Sequence, residues 1–383
     1  MPVYAPINPN TLKWARETAG YDDLSELAAL LRVEEAKLKE WESGKTLLTI
    51  GKAKKLAEKY RVSLPVLYLD EIPEEFNFKR PRDFRRLAND NIKPNLRRAI
   101  TLAQDRQRWA SEMLKSEGKK FKQPAIYRQQ NGYKTLAQKI RQWLDKPTNP
   151  QDPKKWLDVW IKKVEDKGVL IMQTNTHRYR KMADDEFSGC LLNDDYAPII
   201  LLNGSDSPAR RLFTLFHELA HLWLNKPGIS HVDNEVINLP NAGIEKFCNE
   251  VAAQILLPHE SLADYWQEFS GDTGEKINRI HKETGASAAA IAVNLVKHNF
   301  ISDDEYRQER EFLKTLKTGK RGGRIIPHKQ TLKQCGHQFS ILVLSGYEQN
   351  RINGREMFDL LGMKLNHISK LADELKIKLY GWM

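Results

Sequence analysis

Apolar residues recur three and four positions apart through most of this chain, the rhythm of amphipathic helices. Leu12, Ala15 and Arg16 keep that spacing up to Gly20. Asp22 and Asp23 are placed to cap a second helix through Leu24, Leu27, Ala28 and Leu31. Arg32-Val33 reads as a tight turn before a third helix from Glu34 to Ser43, with Leu38 and Trp41 facing inward and Gly44 stopping it. A fourth helix fits Ile50 to Tyr60, and an apolar turn at Val66-Leu67-Tyr68 closes the segment. Five short helices in so little chain predict a small all-α domain.

The pattern then lengthens. Helices are expected over Asn95–Glu117, Leu136–Leu144 and Lys154–Asp166, the last stopped by Gly168. Continuous apolar runs at 169–172, 188–192 and 198–202 predict three buried strands. Ser207 and Pro208 open a helix that reaches about Leu224, and another fits Ala242 to Leu257. Beyond it helices alternate with one strand-like run at Phe339–Leu344, and a basic, hinge-like loop fills 317–324. No stretch of sequence repeats another. The fold class expected is α+β, divided at 1–72, 73–150, 151–300 and 301–383: a helical domain, a helical connector, a domain with a small three-stranded sheet, and a helical or mixed extension.

Charge sharpens this division. The 383 residues carry 61 Lys+Arg against 50 Asp+Glu, a net of +11. Residues 1–70 hold 11 basic and 10 acidic side chains, 79–150 hold 19 and 6, and 151–300 hold 16 and 21. The positive field belongs to the connector, where it suits nucleic acid, an acidic partner or an inter-domain contact. No apolar stretch is long enough for a membrane span, and the first ten residues lack a leader pattern. Cys190, Cys248 and Cys335, odd in number and far apart, read as buried thiols of a cytoplasmic protein.

The chemistry concentrates in Phe213-Thr214-Leu215-Phe216-His217-Glu218-Leu219-Ala220-His221-Leu222-Trp223-Leu224. A spacing of four sets His217 and His221 on one helix face, where two ring nitrogens reach one zinc ion. Glu218, next to the first His, is placed to take a proton from water and pass it to a leaving amine. Ten His in the whole chain make this pattern rare by chance. A catalytic zinc needs a third protein ligand, and the helix from Ile244 offers Glu245 and Glu250 on opposite sides of its apolar face. Helix geometry alone does not choose between them.

The zinc-type helix, followed by Ile244-Glu245-x-x-x-Asn249-x-x-Ala252-Ala253-x-x-Leu256-x-Pro258, resembles the ImmA/IrrE family of metallopeptidases. The resemblance implies a zincin-like domain in which His217, His221 and Glu245 bind Zn2+ and Glu218 is the catalytic base. It also implies a protein substrate of repressor or antitoxin type, encoded nearby and cut during stress response, phage defence or toxin–antitoxin control. The alternative is a non-hydrolytic regulator or antitoxin that uses the same fold to dock a partner. His231, Tyr179 and His259 are the candidates for oxyanion stabilisation.

Leu12-Lys13-x-x-Arg16, Glu26-Leu27-Ala28, Leu38-x-x-Trp41-Glu42-Ser43-Gly44-Lys45 and Leu56-Ala57-x-x-Tyr60-x-Val62-Ser63 resemble an Xre-type helix-turn-helix domain. Asp83-Phe84-Arg85-Arg86 and Arg106-Gln107-x-Trp109 resemble the connector that joins such domains to these peptidases. The departures fall where DNA is read: Glu34 and Glu35 open the recognition helix and would face a polyanion. Lys37, Lys39 and Lys45 are the residues left for phosphate contact. The balance favours gripping a partner protein or a second copy of the chain over reading DNA.

Overall fold

The computed structural model describes residues 3–60, 62–72, 94–145, 155–174, 187–225, 229–230, 242–307 and 326–378. The connector motif at 83–86, the loop at 317–324, His231 and Tyr179 lie outside the described residues. The chain forms two compact units, residues 1–102 and 103–383.

The first unit opens with strand β1 (Tyr4–Ala5), followed by helices α1 (Pro9–Thr18), α2 (Leu24–Leu31) and α3 (Glu35–Glu42). Strand β2 (Leu48–Thr49), helix α4 (Ile50–Tyr60) and a 3-10 turn at Leu64–Tyr68 complete it. The starts are those expected from local chemistry. Asn8 accepts a hydrogen bond from the Asn10 amide at 2.9 Å ahead of Pro9, and Asp23 accepts from the Ser25 amide at 2.7 Å. Arg32, in the left-handed region, ends α2. Leu12, Ala15, Leu27, Leu38, Trp41, Leu56, Tyr60 and Leu67 form the core. The antiparallel pairing of β1 with β2, absent from the sequence expectation, lays the N-terminal segment beside the start of α4.

Helix α5 (Pro94–Ser116) spans the division between the units. In the second unit α6 (Tyr133–Leu144) and α7 (Trp156–Asp166) precede strands β3 (Leu170–Gln173), β4 (Gly189–Leu192) and β5 (Ile199–Leu202). The sheet order is β3-β5-β4-β6, with a two-residue β6 (Ile229–Ser230) added to the three expected strands. β3 runs parallel to β5, while β4 runs antiparallel to both β5 and β6. Every residue of β3, β4 and β5 is buried, which is why those segments read as unbroken apolar runs rather than alternating ones.

Helix α8 (Pro208–Leu224) begins where Ser207 accepts from the Arg210 amide at 3.2 Å and ends at Asn225 in the left-handed region. It packs on β4, on α7, where Trp160 meets Phe216 edge-on at 5.0 Å, and on α9 (Ala242–Leu256), which also packs on α6. Helices α10 (His259–Glu268), α11 (Thr273–Thr284) and α12 (Ala288–Lys297) follow, then α13 (Pro327–Cys335), α14 (His337–Glu348), α15 (Gly354–Leu361) and α16 (Ile368–Leu375).

The run Phe339–Leu344 is therefore helical, not a strand. Its buried residues Phe339, Ser340, Val343 and Leu344 repeat at helical spacing. A short apolar run does not by itself separate a buried helix from a buried strand. Cys190, Cys248 and Cys335 are buried free thiols. Among the described residues no helix is long and apolar enough to cross a membrane.

Candidate metal centre

His217, Glu218 and His221 sit in a stretch of α8 that is buried without a break from Thr214 to Leu224. Polar side chains in so apolar a surrounding carry a desolvation cost unless they find partners. They find them in each other and in α9. Nε2 of His217 lies 3.0 Å from Nε2 of His221. The Glu245 carboxylate closes the group, with Oε2 at 3.1 Å from His217 Nε2 and Oε1 at 3.4 Å from His221 Nε2. Glu250 forms no hydrogen bond or ion pair with either histidine among the described residues. Of the two glutamates that helix geometry left open, Glu245 is the one brought to the pair.

Two further residues of α9 reach the same place, and neither was singled out from sequence as part of the site. Asn249 Oδ1 lies 2.8 Å from His217 Nδ1. Cys248, read only as a buried thiol, has its Sγ within 4.8 Å of a ligand nitrogen of each histidine. Positions 245, 248 and 249 stand at i, i+3 and i+4 and so share one helix face. That spacing was the available signal.

The electrostatics favour a positive charge at the centre. Burial opposes ionisation of Glu245, yet hydrogen bonds with His217 and His221 pull its carboxyl down to about 2. Burial alone would push His221 down, but hydrogen bonds with Cys248 and Glu245 and the nearby charge of Glu218 hold it well above the ordinary imidazole value. The Cys248 thiol is pushed up by burial, with His221 opposing. Two imidazole nitrogens, a carboxylate and a neighbouring thiol, arranged to hold a proton among them, fit a zinc ion, whose ligands are N, O and S.

Glu218 is fully buried, against the sheet side of α8. Gly189 of β4 makes that approach possible. A Cβ on Gly189 would lie 3.4 Å from Glu218 Oε1 and 2.5 Å from the Thr214 methyl. Of the other candidates, His259, Lys37, Lys39 and Lys45 lie among the described residues. The His259 ring stands 4.1 Å from that of His298, between centroids. In the first unit Lys37 is bonded to Glu40 at 2.7 Å and Lys39 to Glu35 at 2.7 Å, while Lys45 is exposed. Both lysines of α3 are thus neutralised within their own helix.

Residues 12–67 match the sequence model described as Helix-turn-helix. Residues 164–296 match that of the peptidase M78 family, described as the IrrE N-terminal-like domain. No curated protein matches the chain. The second match encloses α8, α9 and the whole His217–His221–Glu245 group, so the chain carries an IrrE N-terminal-like domain of the peptidase M78 family behind an N-terminal helix-turn-helix.

Proposed function

We propose that the chain is a zinc-dependent endopeptidase that regulates by cutting one dedicated partner protein of repressor or antitoxin type. What supports this most directly is the convergence of His217, His221 and Glu245 beside the buried carboxylate of Glu218. On this reading His217 and His221 supply nitrogen ligands through Nε2, and Glu245 supplies oxygen. A zinc ion held there supplies Lewis acidity, polarising a peptide carbonyl and acidifying water. Glu218 takes up the water proton on its carboxylate and delivers it to the departing amine. Asn249, by accepting from Nδ1–H of His217, leaves Nε2 with its lone pair toward the centre.

Cys248 favours a second reading. Four protein ligands close a zinc site, whereas catalysis needs an open position. A site closed by His217, His221, Glu245 and Cys248 would make the domain a docking scaffold.

Both readings meet one experiment. The full chain is purified together with its neighbouring gene products, its metal content is measured, and partners and cut sites are identified by mass spectrometry. The peptidase reading expects stoichiometric zinc that His217→Ala loses, and a partner cut by wild type but left whole by Glu218→Gln. Zinc retained by a protein that holds its partner intact, in both wild type and Cys248→Ala, would leave only the scaffold.

A further inference from the structure

The backbone of the first helix-turn-helix recurs at the other end of the chain. Helix α1 ends at Thr18 and α14 at Glu348. After α1 the amides of Ala19, Gly20 and Tyr21 bond to the carbonyls of Ala15, Glu17 and Arg16, at 2.9, 3.0 and 3.1 Å. After α14 those of Gln349, Asn350 and Arg351 bond to Ser345, Tyr347 and Gly346, at 3.0, 2.9 and 2.9 Å. Gly20 and Asn350 both take positive φ, 83° and 55°.

The correspondence continues residue by residue at one constant offset. Asp23 caps the eight residues of α2 by accepting from the amides of Ser25 and Glu26, and Asn353 caps the eight of α15 by accepting from Arg355 and Glu356. The turn after α2 is Arg32 in the left-handed region (φ 56°), Val33, then extended Glu34 (φ −73°, ψ 141°). The turn after α15 is Gly362 (φ 63°), Met363, then extended Lys364 (φ −60°, ψ 141°). Each opens a second helix: α3 in one case, and in the other a 3-10 turn at Leu365–His367 that runs into α16. The inward positions match too, Leu27, Leu38 and Trp41 corresponding to Met357, Ile368 and Leu371, all buried. Few identities accompany this, Glu26 with Glu356 and Leu31 with Leu361 among them, which is why no repeat is visible in the sequence.

What differs is the surface that such a motif presents to a groove, the N-terminal part of its second helix. In the first copy, residues 34–40 carry Glu34, Glu35 and Glu40, and both lysines are bonded to two of them. In the second copy, residues 364–370 hold Lys364, Asn366, His367, Ser369 and Lys370 and no acid. All are exposed except the half-buried His367. Neither lysine is ion-paired among the described residues. The nearby acids are otherwise engaged or lie at the far end. Glu356 accepts from the Asn353 amide at 2.8 Å, Asp359 pairs with Arg355 at 3.2 Å, and Asp373 and Glu374 sit in the last turn of α16.

We propose that residues 337–375 form a second helix-turn-helix, outside both family matches, and that it, rather than the N-terminal copy, binds duplex DNA. Lys364 and Lys370 contact phosphates, while Asn366 and Ser369 face the base edges. The proposal does not depend on whether the metal centre is catalytic.

The test uses the full chain and a labelled mixed-sequence duplex of about two helical turns, ~20 base pairs, followed by fluorescence anisotropy across a salt series. Reversal of both charges (Lys364→Glu with Lys370→Glu) should weaken binding at least about tenfold and reduce the salt slope by roughly 2, close to 0.9 for each phosphate no longer neutralised. Reversal of Lys37 and Lys39 should change affinity by less than about twofold, since on this reading α3 makes no phosphate contacts. If the reversed protein does not fold by circular dichroism, Lys364→Gln with Lys370→Gln is judged by the same fall in slope. Wild type that ignores the duplex, binding indifferent to positions 364 and 370, or stronger binding to single-stranded RNA of equal length each overturns the proposal.

Discussion

Nδ1 of His217 lies 2.8 Å from Oδ1 of Asn249. A carboxamide oxygen only accepts, so Nδ1 donates to it, and Nε2 is the nitrogen that faces His221 and Glu245 and is left to bind a metal. The contact joins α8 to α9 through the candidate site, and under the proposed function it aligns a metal ligand without being one. Asn249→Ala frees the ring to rotate and to change tautomer. Zinc affinity, measured by competition with a chromophoric chelator, should fall about 10- to 100-fold. Asn249→Asp, which keeps an acceptor at that position, should recover most of the loss. Equal affinity in wild type and Asn249→Ala would show the ring to be held by packing alone.

The approach of α8 to β4 rests on a missing side chain. A Cβ at Gly189 would stand 2.5 Å from Thr214 Cγ2 and 3.2 Å from the Leu201 carbonyl oxygen, and the latter, being backbone, cannot give way without moving its strand. Gly189→Ala should therefore lift α8 from the sheet at a cost of about 1–3 kcal/mol. The unfolding midpoint should drop, and zinc affinity with it, because His217 and Glu218 ride on the displaced helix. Gly189→Ala combined with Thr214→Ser removes the methyl in the way and should restore most of the midpoint.

Much of the site was legible because its chemistry obeys helical spacing. His217 and His221 are one turn apart in sequence and face one point in space. The choice of Glu245 over Glu250 was not a property of α9 alone, since it depends on how that helix is rotated against α8. Cys248 is hidden in the sequence for a related reason: burial is the default for a free cysteine, and only the facing helix brings its thiol to the two histidines. The strands were legible as buried apolar runs, but Phe339–Leu344 carries the same composition and is helical because Gly336 and the following twelve residues build a full helix. The terminal repeat lies in caps, turn conformations and buried positions that different residues satisfy equally well. Asn replaces Asp at the cap, and Gly replaces Arg at the left-handed turn.

Glu165 holds the start of α14 from a distance along the chain. Its carboxylate accepts from the amides of His337 at 3.3 Å and Gln338 at 3.4 Å, and Oε2 lies 3.6 Å from His337 Nδ1. The anion is well placed at a helix N-terminus. The hydrogen bond with Glu165 raises the His337 pKa above 6.5, with burial opposing. A raised pKa means that the folded state binds this proton more tightly. The contribution is fully present below pH 6.5 and is lost as pH rises through the folded-state value. Burial raises Glu165 as well, with His337 opposing, so its contribution falls in the same direction above pH 4.5. Urea unfolding midpoints should decline above pH 6.5 in wild type and less steeply in His337→Gln. Because His337 is half exposed, the difference should stay below about 1 kcal/mol. A steeper decline in the variant would show that the His337–Glu165 contact does not raise the His337 pKa in the folded state.

In the first unit Arg16 and Glu42 form a buried two-point pair, Nε to Oε1 at 2.7 Å and Nη2 to Oε2 at 3.2 Å, and Nη1 also donates to the Tyr21 carbonyl at 2.6 Å. The pair ties the end of α1 to the end of α3 and fixes the turn between α1 and α2. Removing one partner strands a buried charge, so Arg16→Met should cost about 3–5 kcal/mol. Removing both is a different matter. Arg16→Met with Glu42→Leu replaces two desolvated ions by apolar side chains in a core that already holds Leu12, Leu38 and Trp41. The double variant should recover most of that loss, leaving only the cost of the unmet Tyr21 carbonyl, about 1–3 kcal/mol. Equal destabilisation of single and double variants, measured as a double-mutant cycle in urea, would show that the pair specifies the packing of α1 on α3 in a way that apolar contacts do not replace.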